Sequence, residues 1–276
     1  MPGTLGRRGA ESLERSCIRP GTGADGLQRL AAYFATDGFA PHRHVTYGIG
    51  VTTSGVQAFR YRGERHLCLS GQMHILHPDE THDGTTATEA GFGYRIVYLE
   101  PDLVGAALDG RPLPFVARPV HDRPPAHLLT LLADIDEPIS DLARTEAAAY
   151  LADTLVRLGD RRESNRSAVD RKAVGLAREY LDAHAAEAVS SRALELLTGL
   201  DRFTLARHFR RVCGTSPDRY RLARRLDLVR TAIRVGTPLA RAAADAGFAD
   251  QSHLTRQFKL AHGLPPGQWA RLSRPT

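Results

Sequence analysis

The 276-residue chain predicts an α+β, multidomain fold: a small amino-terminal β-barrel, a helical hairpin after it, and a carboxy-terminal all-α domain with two helix-turn-helix units. Three observations predict it. Short β-type runs broken by turn residues fill residues 41–98. Apolar residues at three- and four-residue steps dominate after Pro124-Pro125. A 20-residue pattern in the last third occurs twice, 49 residues apart.

Bulk properties bound the problem first. Hydrophobic residues make up 42% and charged residues 25%, which fits an ordinary globular chain of two domains. Cys17, Cys68 and Cys213 are far apart and form no metal or disulfide pattern, so a reducing, cytoplasmic setting is expected. No apolar run approaches the ~20 residues of a membrane-spanning helix, and Arg7-Arg8 precede no apolar segment of a signal peptide. Charge is uneven. Residues 161–276 hold 22 Lys+Arg against 11 Asp+Glu, a net of +11, and residues 1–160 hold 15 against 20, a net of −5. The carboxy-terminal part is therefore the one expected to meet a polyanion.

In chain order, residues 1–26 are rich in Gly, Arg and Ser without periodicity and read as a flexible leader. A sensor domain is expected over 27–122. Its candidate strands are His44–Thr53, Val56–Tyr61, Arg65–Leu69, Met73–Leu76 and Tyr94–Leu99, separated at Ser54-Gly55, Arg62-Gly63, Ser70-Gly71 and His77-Pro78. Segment 123–160 holds two amphipathic helices, His127–Ile135 and Asp141–Leu158, expected to pack on the barrel or pair two subunits. Polar residues 161–168 read as a linker, and 169–276 as a helical, DNA-binding domain.

That domain rests on the repeat. DRFTLARHFRRVCGTSPDRY from Asp201 and DQSHLTRQFKLAHGLPPGQW from Asp250 share D-x3-L-x-R-x-F-[RK]-x3-G-x2-P-x2-[YW]. Asp suits the N-cap, Leu and Phe at i and i+4 share a buried face, and Gly with Pro ends the helix. Arg207 and Arg256, two residues past the Leu and about 200° round the helix, point outward. Helices Arg192–Thr198 and Pro238–Ala246 precede the two copies and complete helix-turn-helix units at about 190–213 and 238–262. Arg221–Val235 joins them as a linker helix.

The segment Gly247–Trp269, GFADQSHLTRQFKLAHGLPPGQW, resembles the signature of the AraC/XylS family of bacterial transcription regulators, and the resemblance covers about 169–272. Residues 41–100 resemble that family's cupin-type ligand-binding domain. The resemblance implies two recognition helices in successive major-groove segments of double-stranded DNA, a homodimer, a small-molecule effector, and contact with RNA polymerase in an activator. It places base contacts at Arg202, Phe203, Ala206 and Arg207 and at Gln251, Ser252, Thr255 and Arg256, where Arg suits guanine, Gln suits adenine, and Phe or the Thr methyl suits thymine. Arg210, Arg211, Arg224, Arg225 and Lys259 are expected on phosphates. His42, His44, Tyr47, Arg60, His82 and Tyr94 are the candidates for the effector pocket. A sugar, an amino acid or another small metabolite are all open as effector.

Cupins often hold a metal on three His and a Glu. Here His42, His44 and His82 are present, with His66, His74 and His77 nearby, but the stretch after His44 carries no Glu. No metal, cofactor or catalytic residue is therefore expected. Two other readings stay open: a cupin metalloenzyme with a helical appendage, and a constitutive DNA-binding protein whose barrel only dimerises.

Overall fold

In the computed structural model, residues 16–109, 111–159 and 169–273 are described. The expected linker 161–168 and the first fifteen residues of the expected leader lie outside them. The remainder of that leader is ordered: β1 (Cys17–Pro20) pairs antiparallel with β2 (Leu27–Phe34), and Ile18 enters the core. A leader ending at residue 26 is thus corrected, because a four-residue strand is too short to show periodicity.

The sheet continues through β3 (Phe39–His42), β4 (Tyr47–Tyr61), β5 (Glu64–Leu69), β6 (Met73–Leu76), β7 (His82–Thr86), β8 (Phe92–Leu99) and β9 (Val120–His121). Its main path runs β1-β2-β8-β4-β6-β9, and β4 also pairs β5 and β7. The expected break at Ser54-Gly55 is instead a bend inside one long strand. The β4–β8 register shifts between Thr52 and Ser54, and Gly55 takes φ +64 beside Gly91, where a Cβ would lie 2.0 Å from a carbonyl oxygen. The bend passes β4 from its β8/β6 partners to its β5/β7 partners, so one strand takes part in both layers of the barrel-like domain.

Strand β8 is buried on both faces. Phe92, Tyr94 and Ile96 point one way, while Val97 and Leu99 point the other. The second face packs against α1 (Pro101–Ala107), α2 (Ala126–Ala133) and α3 (Asp141–Leu158) through Val104, Leu128, Leu132, Leu151 and Leu155. Buried Arg29 on β2 reinforces this contact. Its guanidinium donates to the carbonyls of Thr22 (3.0 Å), Leu131 (3.1 Å) and Asp134 (2.8 Å), closing the carboxy-terminal end of α2.

The helical part comprises α4 (Arg171–Ala183), α5 (Ser191–Thr198), α6 (Arg202–Cys213), α7 (Pro217–Arg234), α8 (Leu239–Asp245), α9 (Gln251–His262) and α10 (Pro266–Leu272). The first face of β8 does not end at the barrel: Phe34, Phe92, Tyr94 and Ile96 share one apolar core with Leu226, Val229, Phe248, Leu254, Phe258 and Trp269. The first helix-turn-helix, α5–α6, has its own core of Val174, Ala177, Leu181, Leu205, Phe209 and Tyr220. Its flanking helices α4 and α7 reach α1 and the barrel by polar contacts, and the end of α6 does so by close approach. Arg178 pairs with Asp102, Arg219 with Asp79, Arg224 with Glu100, and Gly214 packs on Pro78 and Pro101.

Candidate nucleic-acid interface and buried cavity

The two repeat copies fold alike. Asp201 Oδ1 accepts from the backbone N–H of Phe203 (3.0 Å) and Thr204 (3.1 Å), and Asp250 Oδ1 accepts from that of His253 (2.7 Å). Gly214 (φ +69) and Gly263 (φ +71) end α6 and α9 in the left-handed region. Leu205, Phe209, Leu254 and Phe258 are buried, each contributing about 1.5–3 kcal/mol of apolar burial. Tyr220 and Trp269 pack edge-on against Phe209 and Phe258, at 5.5 and 6.0 Å between ring centroids.

On the opposite face of each helix lie the expected base contacts. Arg202, Phe203 and Arg207 are exposed and Ala206 is half-exposed; Gln251, Ser252 and Arg256 are exposed and Thr255 half-exposed. Phe203 is 71% exposed. Arg207 Nη2 donates to Thr204 Oγ1 at 2.7 Å along α6, and Arg202 Nε donates to Glu195 Oε1 at 2.9 Å, which ties the start of α6 to α5. Among the phosphate candidates, Arg210, Arg211 and Lys259 are exposed in or near the last turns.

Arg224 and Arg225 are corrected. Arg224 Nη1 donates to Glu100 Oε1 (2.7 Å) and Nη2 pairs with Asp227 (3.2 Å), so it joins α7 to the barrel. Arg225 is 8% exposed; its Nε donates to Ala246 O (2.8 Å), its Nη2 donates to Gly247 O, and its guanidinium stacks 4.0 Å from the Phe248 ring centroid. Charge in the sequence suggested a solvated face, but a guanidinium has enough donors to serve a buried turn. Arg225→Met is therefore expected to lower stability by about 2–3 kcal/mol, since two turn carbonyls lose a charged donor. Thermal unfolding checks this; an unchanged melting temperature with flatter salt dependence of DNA binding would restore the phosphate role.

Between the barrel and α7, α9 and α10 lies a cavity of about 390 Å³, within the size range of small-molecule sites. His42, His44, His82 and Tyr94 line it as expected. Tyr47 and Arg60 do not: Tyr47 is on the other face of the sheet, with its hydroxyl donating to Pro114 O at 2.9 Å, and Arg60 is exposed. Sequence reasoning missed Gln57, His74, Tyr98, Arg230, His262 and Trp269, which also line it. His262 had a signal. It occupies the buried repeat position held by Cys213 in the first copy, four residues past Phe258.

Three histidines share one arrangement. His42 Nδ1 is 2.9 Å from Ala40 O, His44 Nδ1 2.8 Å from Thr46 O, and His82 Nδ1 3.0 Å from Glu80 O. A carbonyl can only accept, so each Nδ1 carries the proton. Burial pushes all three imidazoles down to about 3 and His74 to about 4, which keeps them neutral. Their Nε2 atoms are then acceptors. Buried atoms unpartnered among the described residues converge here: His44 Nε2, Gln57 Oε1, His74 Nδ1, Arg230 Nε and His262 Nε2. Such atoms carry a desolvation penalty of about 1–3 kcal/mol each unless something fills the space. Among the described residues, no group of three or more His, Cys, Asp or Glu side chains is placed to hold a metal ion, so this donor set does not fit a cupin metal.

The cavity touches the second repeat directly. The backbone N–H of Ala40 donates to Gly263 O and that of Arg43 to Leu260 O, both at 3.1 Å. Strand β3, which carries His42, thereby caps the carboxy-terminal end of α9.

Comparison with known proteins adds to this geometry. Residues 26–179 match the family model described as an AraC-like ligand binding domain, and residues 197–272 match a helix-turn-helix domain. A Bacillus subtilis (strain 168) protein, the uncharacterized HTH-type transcriptional regulator YbfI, is 27% identical over 223 residues, 78% of this chain and 81% of its own. The fold is similar to that of ToxT from Vibrio cholerae, with TM-score 0.65 and 11% identity over 91% of this chain and all of that one. It is also similar to ToxT with a bound unsaturated fatty acid, with TM-score 0.63 and 10% identity over 94% and 95% of the two chains. No helix among the described residues is long and apolar enough to cross a membrane.

Proposed function

Because the chain belongs to the AraC-like family of transcription regulators, with a ligand-binding domain followed by a helix-turn-helix domain, we propose that α6 and α9 read successive major-groove segments of one DNA face and that a small molecule in the cavity controls this reading. Arg202, Phe203, Ala206, Arg207, Gln251, Ser252, Thr255 and Arg256 contact bases, and Arg210, Arg211 and Lys259 contact phosphates. The observation that carries the effector part is the set of unpartnered polar atoms in a cavity walled by the barrel on one side and by α7, α9 and α10 on the other. A ligand there touches both parts of the molecule. It shifts DNA affinity by the difference in its own affinity for the DNA-competent and DNA-incompetent arrangements.

Two further elements belong to the same reading. Two copies pair through the outer face of α3, where Leu142 (69%), Tyr150 (56%) and Val156 (39%) are exposed. If the protein activates, RNA polymerase is a further partner. No catalytic step is assigned.

Selection of bound sites from random duplexes by the full chain tests the DNA reading. The expected outcome is an enriched site with two short elements about one helical turn, ~34 Å, apart. Uniform, sequence-blind binding that vanishes with salt would rule out specific reading by these helices.

A further inference from the structure

We propose that the cavity takes an uncharged small molecule that presents hydroxyl or N–H donors to the histidine wall and an apolar face to the helices. This inference rests on the effector reading above and narrows it to a chemical class.

The first support is hydrogen-bond direction. With Nδ1 of His42, His44 and His82 each committed to a backbone carbonyl, all three present lone pairs. The rings are close, with His82 4.3 Å from His42 and 4.9 Å from His44 between centroids, and His44 Nε2 is buried without a partner among the described residues, so a ligand edge at His44 lies beside the other two rings. That edge must donate. On the far wall Arg230 Nε is a donor without a partner among the described residues, so the ligand must also accept. A hydroxyl does both.

The second support is charge balance. Four arginines line the cavity, Arg43, Arg219, Arg224 and Arg230, and so do four aspartates, Asp79, Asp83, Asp218 and Asp227. Arg219 is paired with Asp79, Arg224 with Glu100 and Asp227, and Arg230 with Asp227. Arg43 is exposed. A carboxylate would enter facing three lone pairs and neutral imidazoles, and would find the inner cations already neutralised. Between the polar ends, Leu222, Leu226, Leu260 and Trp269 supply an apolar surface. A fatty acid of the kind bound by the structural relative is therefore the wrong chemistry for this chain.

The chain contains one tryptophan, Trp269, and it lines the cavity, so its emission reports occupancy in the full-length protein. The test compares matched six-membered rings: cyclohexanediols and inositols against cyclohexanecarboxylate and cyclohexanedicarboxylate. The expected result is saturable change in Trp269 emission, with a rise in melting temperature, for members of the hydroxyl set only. His44→Leu, which removes one acceptor, then weakens hydroxyl binding roughly tenfold. Carboxylates binding as well as or better than the hydroxyl compounds would overturn the class and leave the effector cavity standing. No response to either set would overturn both.

Discussion

Lowering the pH from 7 to 5.5 is expected to remove about 5 kcal/mol of folding stability. The source is the cavity wall. His42, His44 and His82 are held at about 3 and His74 at about 4 by burial, with neighbouring imidazoles adding to the shift for the first three. In the unfolded chain each titrates near 6.5. Below that value the unfolded state binds protons that the folded state refuses, so stability is full above pH 6.5 and falls as the pH drops toward 3. Each group gives up a little over ~1 kcal/mol between pH 7 and 5.5, and four together approach the whole stability of a typical domain. Burial lowers His77 to about 4 and His262 in the same direction, so both steepen the fall. Denaturant melts at half-unit pH steps measure it. A stability curve that stays level from 7 to 5.5 would show that these rings are charged or solvated in the fold.

The double variant Arg207→Ala/Arg256→Ala is expected to lose about 2–6 kcal/mol of affinity for its selected site, at roughly 1–3 kcal/mol per bidentate base contact. The two positions belong to different helices with separate cores, so their effects should add. Both side chains are exposed, and Arg207 bonds locally to Thr204. The fold should therefore melt unchanged. Titration by fluorescence anisotropy on the selected duplex and on a scrambled one separates the roles. Equal losses on both duplexes would reassign these arginines to phosphates.

The helical half was legible because its signals are local. The Asp caps, the glycines at 214 and 263, and the Leu–Phe spacing each act within one helix, and all adopt the expected geometry. The hairpin helix Asp141–Leu158 begins after Ser140, whose hydroxyl accepts from Ala143 N–H. The barrel was legible only where strands are long or well punctuated. Strand β2 was hidden because its LQRLAAYF sequence is buried against two different neighbours, and its polar Arg29 is itself inside. Half the cavity was invisible for a related reason: residue 42 and residue 262 meet only after the whole chain has folded. Arg224 and Arg225 misled because charge on a helix does not say what surrounds it.

The two helix-turn-helix units are fastened to the barrel by different physics. The second is joined by apolar packing through Phe92, Tyr94 and Ile96, which charge screening by salt leaves intact. The first is held through its flanking helices by ion pairs, Arg178 to Asp102, Arg219 to Asp79 and Arg224 to Glu100, together with Gly214 on Pro78 and Pro101, and dissolved ions weaken the more exposed of the pairs. Dissolved ions therefore loosen the first attachment before the second, while the single helix α7, with Tyr220 in one core and Val229 in the other, keeps the spacing between the two units.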